Sequence, residues 1–406
     1  MITLYSFNNS SFLMKNTRYF SNINKISYHM PKLLPESPNF SSGPCKKRPG
    51  YNLNNIKTRN LGRSHRSKAA KNTIVEAINK TKDILKIPDD YLVGIVPASD
   101  TGAYEMAMWS TLGYKDVDVA YWESFGKIWF EDAVSQLRLR DNVKVNEITA
   151  DFGELPDLNK HYSDNDLCFT FNGTTSGVRV PFDCSFINDN RKGITICDAT
   201  SGAFAMDLPW KKLDITTYSW QKVLGGEAGH GTIILSPRAV ERLENYSPNR
   251  AIPKIFQLTN NGKLNKSIFE GVTINTPSML AIEDYIDALD WAKEIGGLDT
   301  LIERSKNNFE VIEKFVNENS WINFLAKDPL NRSTTSVCLT LDLTPNQIKK
   351  FVTLLEDENV AFDIGGYRDA PPSLRIWCGS TVEKEDVKKL MPWLTWAFNV
   401  SRNNWK

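Results

Sequence analysis

Short apolar segments alternate with helix-patterned ones along most of this 406-residue chain, and that alternation restricts the fold more than any single residue does. Residues 92–96, 116–121, 143–148, 167–171, 194–197, 215–218 and 232–235 read as strands, and 101–112 and 126–139 read as helices between them. Strands that are apolar throughout belong to a mostly parallel sheet covered by helices on both faces. Ser64 reads as the N-cap of a further helix that precedes the first strand. Single cores rarely grow beyond ~250–300 residues, so more than one lobe is expected. We place a large domain at 36–295 and a smaller α+β domain at 296–406. In the latter, Gly296-Gly297 breaks a helix running over 279–295, and a second helix runs from Leu298 towards Asn317. A strand at 335–341, a helix at 345–355, short strands near Phe362 and at 374–377 and a closing helix follow. The fold class is α/β, with a seven-stranded type of sheet.

Composition removes several functions. The net charge of +1 leaves no broad electrostatic footprint for nucleic acid. No uninterrupted apolar run approaches the ~18 residues of a membrane helix. The six cysteines are scattered and have no zinc-type spacing, so we expect buried free thiols in a reducing compartment and no metal. Residues 1–35 contain no acid but carry Lys15, Arg18, Lys25 and Lys32. Two readings compete for this segment: a mitochondrial transit peptide, or a mis-assigned start with the true one at Met30. In either case we expect disorder there, with a cytoplasmic protein the default and a mitochondrial one the alternative.

In a sheet of this kind ligands bind beyond the carboxyl ends of the strands, where Ser99, Asn172, Asp198 and Lys222 all fall. Lys222 follows an apolar strand and precedes Gly225-Gly226. Most lysines are solvated surface charges, but one buried at a strand mouth loses ammonium stability and becomes a usable nucleophile. Asp198 ends another strand. Alone it reads equally as an Asx-turn residue; beside Lys222 it suits the acid that keeps a pyridine nitrogen protonated. The pair fits pyridoxal phosphate, held by Lys222 as a Schiff base. Pro97-Ala98-Ser99-Asp100-Thr101-Gly102 opens a helix after a strand and makes an anion cradle, against the plainer reading of an N-cap. Arg66, Arg368 and Arg375 are candidate cations for substrate anions. Arg375, within an apolar run, suits bidentate binding of a carboxylate, with an internal salt bridge as the competing reading.

The ordered set Ser41-Ser42-Gly43-Pro44, Ser64-His65-Arg66, Asn172-Gly173-Thr174, Asp198-Ala199-Thr200-Ser201, Ser219-Trp220-Gln221-Lys222 and Ile274-Asn275-Thr276-Pro277 resembles the phosphoserine aminotransferases. These are class V aminotransferases of PLP fold type I. The resemblance covers about residues 36–400 and is nearest the branch of alphaproteobacteria and some archaea. It implies Lys222 and Asp198 as the catalytic pair. It implies a cofactor phosphate held by Ser99, Asp100, Thr101 and Gln221, with Asn275 and Thr276 reaching it from a second subunit of a homodimer. Thr174 would bond near the ring hydroxyl or Asp198, and Phe125 would stack on the ring, with Trp122 and Trp129 as fallback candidates. Arg375 would clamp the substrate α-carboxylate, and Arg66, Arg368 and His65 the phosphate or the glutamate side chain. The implied reaction exchanges an amino group between phosphoserine and 2-oxoglutarate, releasing glutamate, in serine synthesis; phosphohydroxythreonine of pyridoxine synthesis is a possible second substrate. Glyoxylate aminotransferases and cysteine desulfurases are the alternatives. Two departures bear on substrate phosphate: Ser99-Asp100-Thr101-Gly102 lacks the family's loop arginine, and Tyr367-Arg368 stands where His-Arg is common.

Overall fold

A computed structural model describes residues 29–402. Seven strands form the central sheet: β1 (Leu92–Pro97), β2 (Val117–Tyr121), β3 (Val145–Thr149), β4 (Asp166–Thr170), β5 (Thr195–Asp198), β6 (Ile215–Ser219) and β7 (His230–Leu235). Their order is β1-β7-β6-β5-β4-β2-β3. β7 runs antiparallel to both of its neighbours, and the remaining pairs are parallel. Because β1 and β6 both oppose β7, they point the same way. The carboxyl ends of β1, β2, β4, β5 and β6 therefore meet at one edge, which is where the chemistry-bearing loops leave the sheet.

Alternate strand residues face two apolar layers. Val93, Ile95 and Tyr218 pack with Ile74 of α1 (Lys68–Ile84) and Ile282 and Tyr285 of α5 (Met279–Glu294). Val96, Ile196, Ile215 and Ile233 pack with Tyr104 of α2 (Ser99–Thr111), Trp129 of α3 (Ser124–Ser135) and Leu243 of α4 (Pro237–Asn245). The N-cap of α1 is Ser67, whose hydroxyl accepts from the Ala70 N–H, and not Ser64 as the sequence suggests. Both serines satisfy the capping preference; the later one wins because Ser64 lies in a preceding turn, where its hydroxyl accepts from the Arg66 N–H.

The C-terminal unit holds α6 (Gly297–Glu318), β8 (Ile322–Phe324), β9 (Ser336–Leu341), α7 (Pro345–Asp357), β10 (Leu374–Trp377) and α8 (Lys384–Arg402). Its three strands form an antiparallel sheet. The expected strand near Phe362 is a single bridge to Asn39. The N-terminal segment completes this unit: Trp377 N–H donates to the Phe40 carbonyl, the Glu36 N–H to Asp386, and the Trp393 indole to the Leu33 carbonyl. The chain is thus anchored from Leu33 onward, and most of the expected leader lies outside the described residues. All six cysteines are free and buried. Among the described residues no helix is long and apolar enough to cross a membrane.

Candidate active site

At the shared strand edge lies a cavity of about 320 Å³. Lys222 forms its floor. The residue is buried, and burial disfavours the ammonium and lowers its pKa; the nearby Arg375 pushes the same way, while Cys45, Asp198 and Glu123 oppose it. Nζ donates to the Ser42 carbonyl. Gly43 approaches so closely that a Cβ there would sit 2.5 Å from Nζ, and its φ of +153° lies where side chains are strained. Burial also pushes the neighbouring Cys45 thiol up to about 12, so that it stays neutral beside the amine.

Asp198 ends β5 directly beside β6, in register with Thr217. Its carboxylate accepts the Trp129 indole N–H at 3.2 Å and the Thr200 N–H at 3.0 Å. Trp129 thus supports the acid through its indole N–H; it also lines the cavity and packs on Tyr104 with centroids 4.4 Å apart. Trp122 is buried and donates to the Val178 carbonyl. Phe125 does line the cavity and packs against Tyr367 at 5.4 Å. Phe125 and Trp129 are four residues apart on α3, so one helix face delivers both. Thr174 also lines the cavity, and its hydroxyl donates to Ser201 at 2.8 Å within a network that includes Asn172.

Ser99, Asp100, Thr101 and Gln221 form the remaining wall. Ala98 and Ser99 both take left-handed backbone angles, φ 67° and 55°. Such strain, on the order of 1–3 kcal/mol per residue, gathers at functional turns. Here the first residues of α2, Ser99, Asp100 and Thr101, whose N–H groups lack helical acceptors, line the cavity. Gly231 of β7 permits this turn: a Cβ there would lie 2.2 Å from the Ser99 carbonyl oxygen.

Several buried polar atoms around this space have no partner within the protein, among them Gln221 Oε1, Asp100 Oδ1, Asn172 Oδ1 and Ser219 Oγ. Unsatisfied groups of this kind are costly and mark a place that another molecule completes. Pyridoxal phosphate fits the donor set: a helix N-terminus for the phosphate, Phe125 for a ring face, Asp198 for a ring nitrogen and Lys222 for an aldehyde carbon.

Arg375 of β10 approaches from the C-terminal unit. Its Nε is buried without a hydrogen-bond partner, and its charge is felt at Lys222. Arg375 is not itself among the residues that line this cavity, and neither are His65, Arg66, Arg368, Asn275 and Thr276. Arg368 is exposed and lies 3.6 Å from Asp369. The loop holding Asn275 and Thr276 is fixed at its end by the Ser278 N–H, which donates to His230 Nε2 at 3.2 Å. Sequence reasoning overlooked Glu123. It is buried between β2 and α3, accepts from the Gly126 N–H at 2.6 Å and from the Thr175 hydroxyl at 2.8 Å, and burial pushes it up to about 7. An acid between Trp122 and the helix-opening Ser124-Phe125-Gly126 was the available signal.

No family model matches the chain. A phosphoserine aminotransferase of Methanosarcina barkeri is 58% identical over 370 residues, which cover 91% of this chain and 99% of that one. A crystal structure of a phosphoserine aminotransferase from Cytophaga hutchinsonii superposes with a TM-score of 0.76 at 22% identity, covering 89% of this chain and 99% of that one. A PLP-bound phosphoserine aminotransferase from Trichomonas vaginalis gives 0.73 at 18%, over 89% of this chain and 100% of that one. The solved structures share the fold, and the Methanosarcina likeness spans nearly both full lengths: the chain belongs to the phosphoserine aminotransferase family.

Proposed function

We propose that this chain catalyses reversible amino transfer between O-phospho-L-serine and 2-oxoglutarate, forming 3-phosphohydroxypyruvate and L-glutamate, with pyridoxal phosphate as cofactor. The observation that carries this reading is the placement of Lys222 and Asp198 at adjacent strand ends of one cavity, in a chain 58% identical to a phosphoserine aminotransferase. When bound, the cofactor supplies an electron-withdrawing ring that stabilises negative charge at the substrate α-carbon.

The chain's own residues do the rest. Asp198, held by Trp129 and Thr200, keeps a negative charge where the ring nitrogen would lie. Lys222 offers an amine whose proton is already disfavoured, so Nζ can hold the cofactor and, once free, take the α-proton from the substrate and return it. Phe125 closes one side of the cavity against water. Arg375 offers a guanidinium whose Nε has no hydrogen-bond partner for the α-carboxylate common to both amino acids. Arg66, Arg368 and His65 would supply the distinction between a phosphate and a carboxylate side chain. That these residues, with Asn275 and Thr276, stand outside their own chain's cavity supports a homodimer in which one subunit completes the other's site.

Borohydride treatment of the loaded protein, followed by peptide mass spectrometry, should find the cofactor fixed on Lys222; label on another lysine would refute the assignment. Rapid mixing with phosphoserine, serine and alanine should give the fastest cofactor spectral change with phosphoserine. A faster change with alanine would move the chain to another class V activity.

A further inference from the structure

Two buried carboxyls share the deep end of the cavity, and the chemistry above uses only one. Asp198 closes β5; Asp100 stands in the first turn of α2 and lines the same space. Both carboxyls are buried and line the one cavity, and Asp198 acts on Asp100 by its charge and as a hydrogen-bond partner. Asp198 has two N–H donors, the Trp129 indole and the Thr200 backbone. Asp100 has none: its Oδ1 is buried without a partner, and what faces it besides Asp198 are the hydroxyls of Thr200 and Thr217. Two carboxylates this close in a buried site do not both stay ionised. The charge belongs on the acid that receives N–H donors, and the proton on the other.

We infer that Asp100 is the proton-bearing member of the pair and donates its O–H to Asp198, as a positioning residue for the acid that meets the ring nitrogen. The surroundings agree. Tyr104 of α2 and Cys197 of β5 are buried beside the pair, and burial pushes both well above their usual values, which leaves them neutral. Glu123 faces Asp198 from the β2–α3 turn and adds repulsion, not relief. Lys222, beyond β6, is the cation that faces Asp198, and its ammonium is itself disfavoured. Burial, and then the charge of Asp198, hold the Asp100 carboxyl well above the usual carboxylate range; the two threonine hydroxyls pull weakly the other way. A neutral donor fixes the orientation of Asp198 without adding a second anion to the cavity. The placement of the proton is a property of the chain alone, whereas its consequence for a ring nitrogen rests on the function proposed above.

The test compares the full chain with its Asp100→Asn variant, each with and without cofactor. An infrared difference spectrum at neutral pH should contain the carbonyl stretch of a protonated carboxylic acid that the variant lacks. Thermal melts across pH 5–8 supply the second reading. An acid whose pKa is raised by folding makes the folded state hold its proton more tightly, so stability falls as pH rises above the ordinary aspartate value of 3.8. Below the folded-state pKa of Asp100 the wild type should therefore lose about tenfold in its folding equilibrium per pH unit relative to the variant. Parallel melts with no acid band lost would overturn the inference. Should Asp100→Asn fail to fold, Asp198→Asn serves with 13C-aspartate labelling: the acid band must shift when its acceptor changes, and an unmoved band overturns the assignment. If the band is present but no cofactor is ever fixed on Lys222, the functional reading fails and the proton assignment stands.

Discussion

The two sides of the cavity are built differently. The deep side is made of strand ends: Asp198 from β5, Gln221 and Lys222 after β6, Asn172 and Thr174 after β4, and Ser99 after β1. All are fixed by strands of one sheet that point the same way. On the substrate side, Arg375 alone of the proposed anion binders sits on a strand of the described chain. Arg66 and Arg368 are on loops and exposed. The deep side can therefore be complete before any ligand arrives, whereas the substrate side depends on a neighbour or on loop closure. If that contrast is correct, substitutions in the deep side should affect every substrate alike, and those on the loops should discriminate.

The largest effect is expected at Lys222. Lys222→Ala removes both the nucleophile and the proton carrier, so the rate should fall at least ~10²–10⁴-fold for every amino acid tested. Cofactor should still bind through the α2 N-terminus, and equilibrium dialysis would check this. Complete loss of cofactor affinity would show that the phosphate cradle is not formed independently, and the contrast would weaken.

Arg375→Ala comes next. A hydrogen-bonded charge contributes about 1.5–3 kcal/mol, so kcat/KM should fall on the order of 10–100-fold. The fall should be equal for phosphoserine and glutamate, because both present an α-carboxylate. A loss confined to phosphoserine would move Arg375 to the phosphate and break the division drawn here.

Glu123 allows the deep side to be tested by pH. Its folded-state pKa is pushed up to about 7 from 4.5. For an acid so raised, its share of stability is complete below pH 4.5, is lost as pH climbs towards 7, and stays level above. Glu123→Gln keeps an acceptor for the Gly126 N–H and removes the titration. Its melting temperature should therefore gain on the wild type between pH 5 and 7, by roughly 1–3 kcal/mol in stability, a ceiling set by about 1.4 kcal/mol per pKa unit. A pH-independent difference would place Glu123 in an ordinary structural role.

The same contrast explains what could be read from the sequence. The sheet, the helix between each early pair of strands, Lys222 and Asp198 were legible because strand periodicity and strand-end position are local properties. Ser67 displaced Ser64 as a cap, and Phe362 formed a bridge in place of a strand, because each choice depends on which backbone group is free nearby. Trp129 as a donor to Asp198 and Glu123 as a buried acid were not legible: both arise where α3 crosses the ends of β2 and β5, a meeting that no window of sequence contains. Arg375 was legible only as an alternative between salt bridge and substrate site, and the absence of a partner for its Nε favours the second.

The smallest effect should come from the loop arginines, and it is the sharpest test. In the single chain Arg66 and Arg368 are solvated, and an exposed ion pair such as Arg368–Asp369 contributes at most about 1 kcal/mol. Replacing either by alanine should leave folding and cofactor retention unchanged. If a second subunit brings Arg66 to the phosphate, Arg66→Ala should lower kcat/KM for phosphoserine by about tenfold, the worth of ~1.4 kcal/mol, and leave glutamate within about twofold. Mixing Arg66→Ala subunits with Lys222→Ala subunits would then separate the cases. Each mutant homodimer lacks one part of every site, but a hybrid dimer holds one site with wild-type residues at both positions, and phosphoserine turnover should partly return. Were the mixture to show no more phosphoserine turnover per Lys222-bearing subunit than Arg66→Ala alone despite proven subunit exchange, Arg66 would serve its own chain or none, and the substrate side would be as local as the sheet edge opposite it.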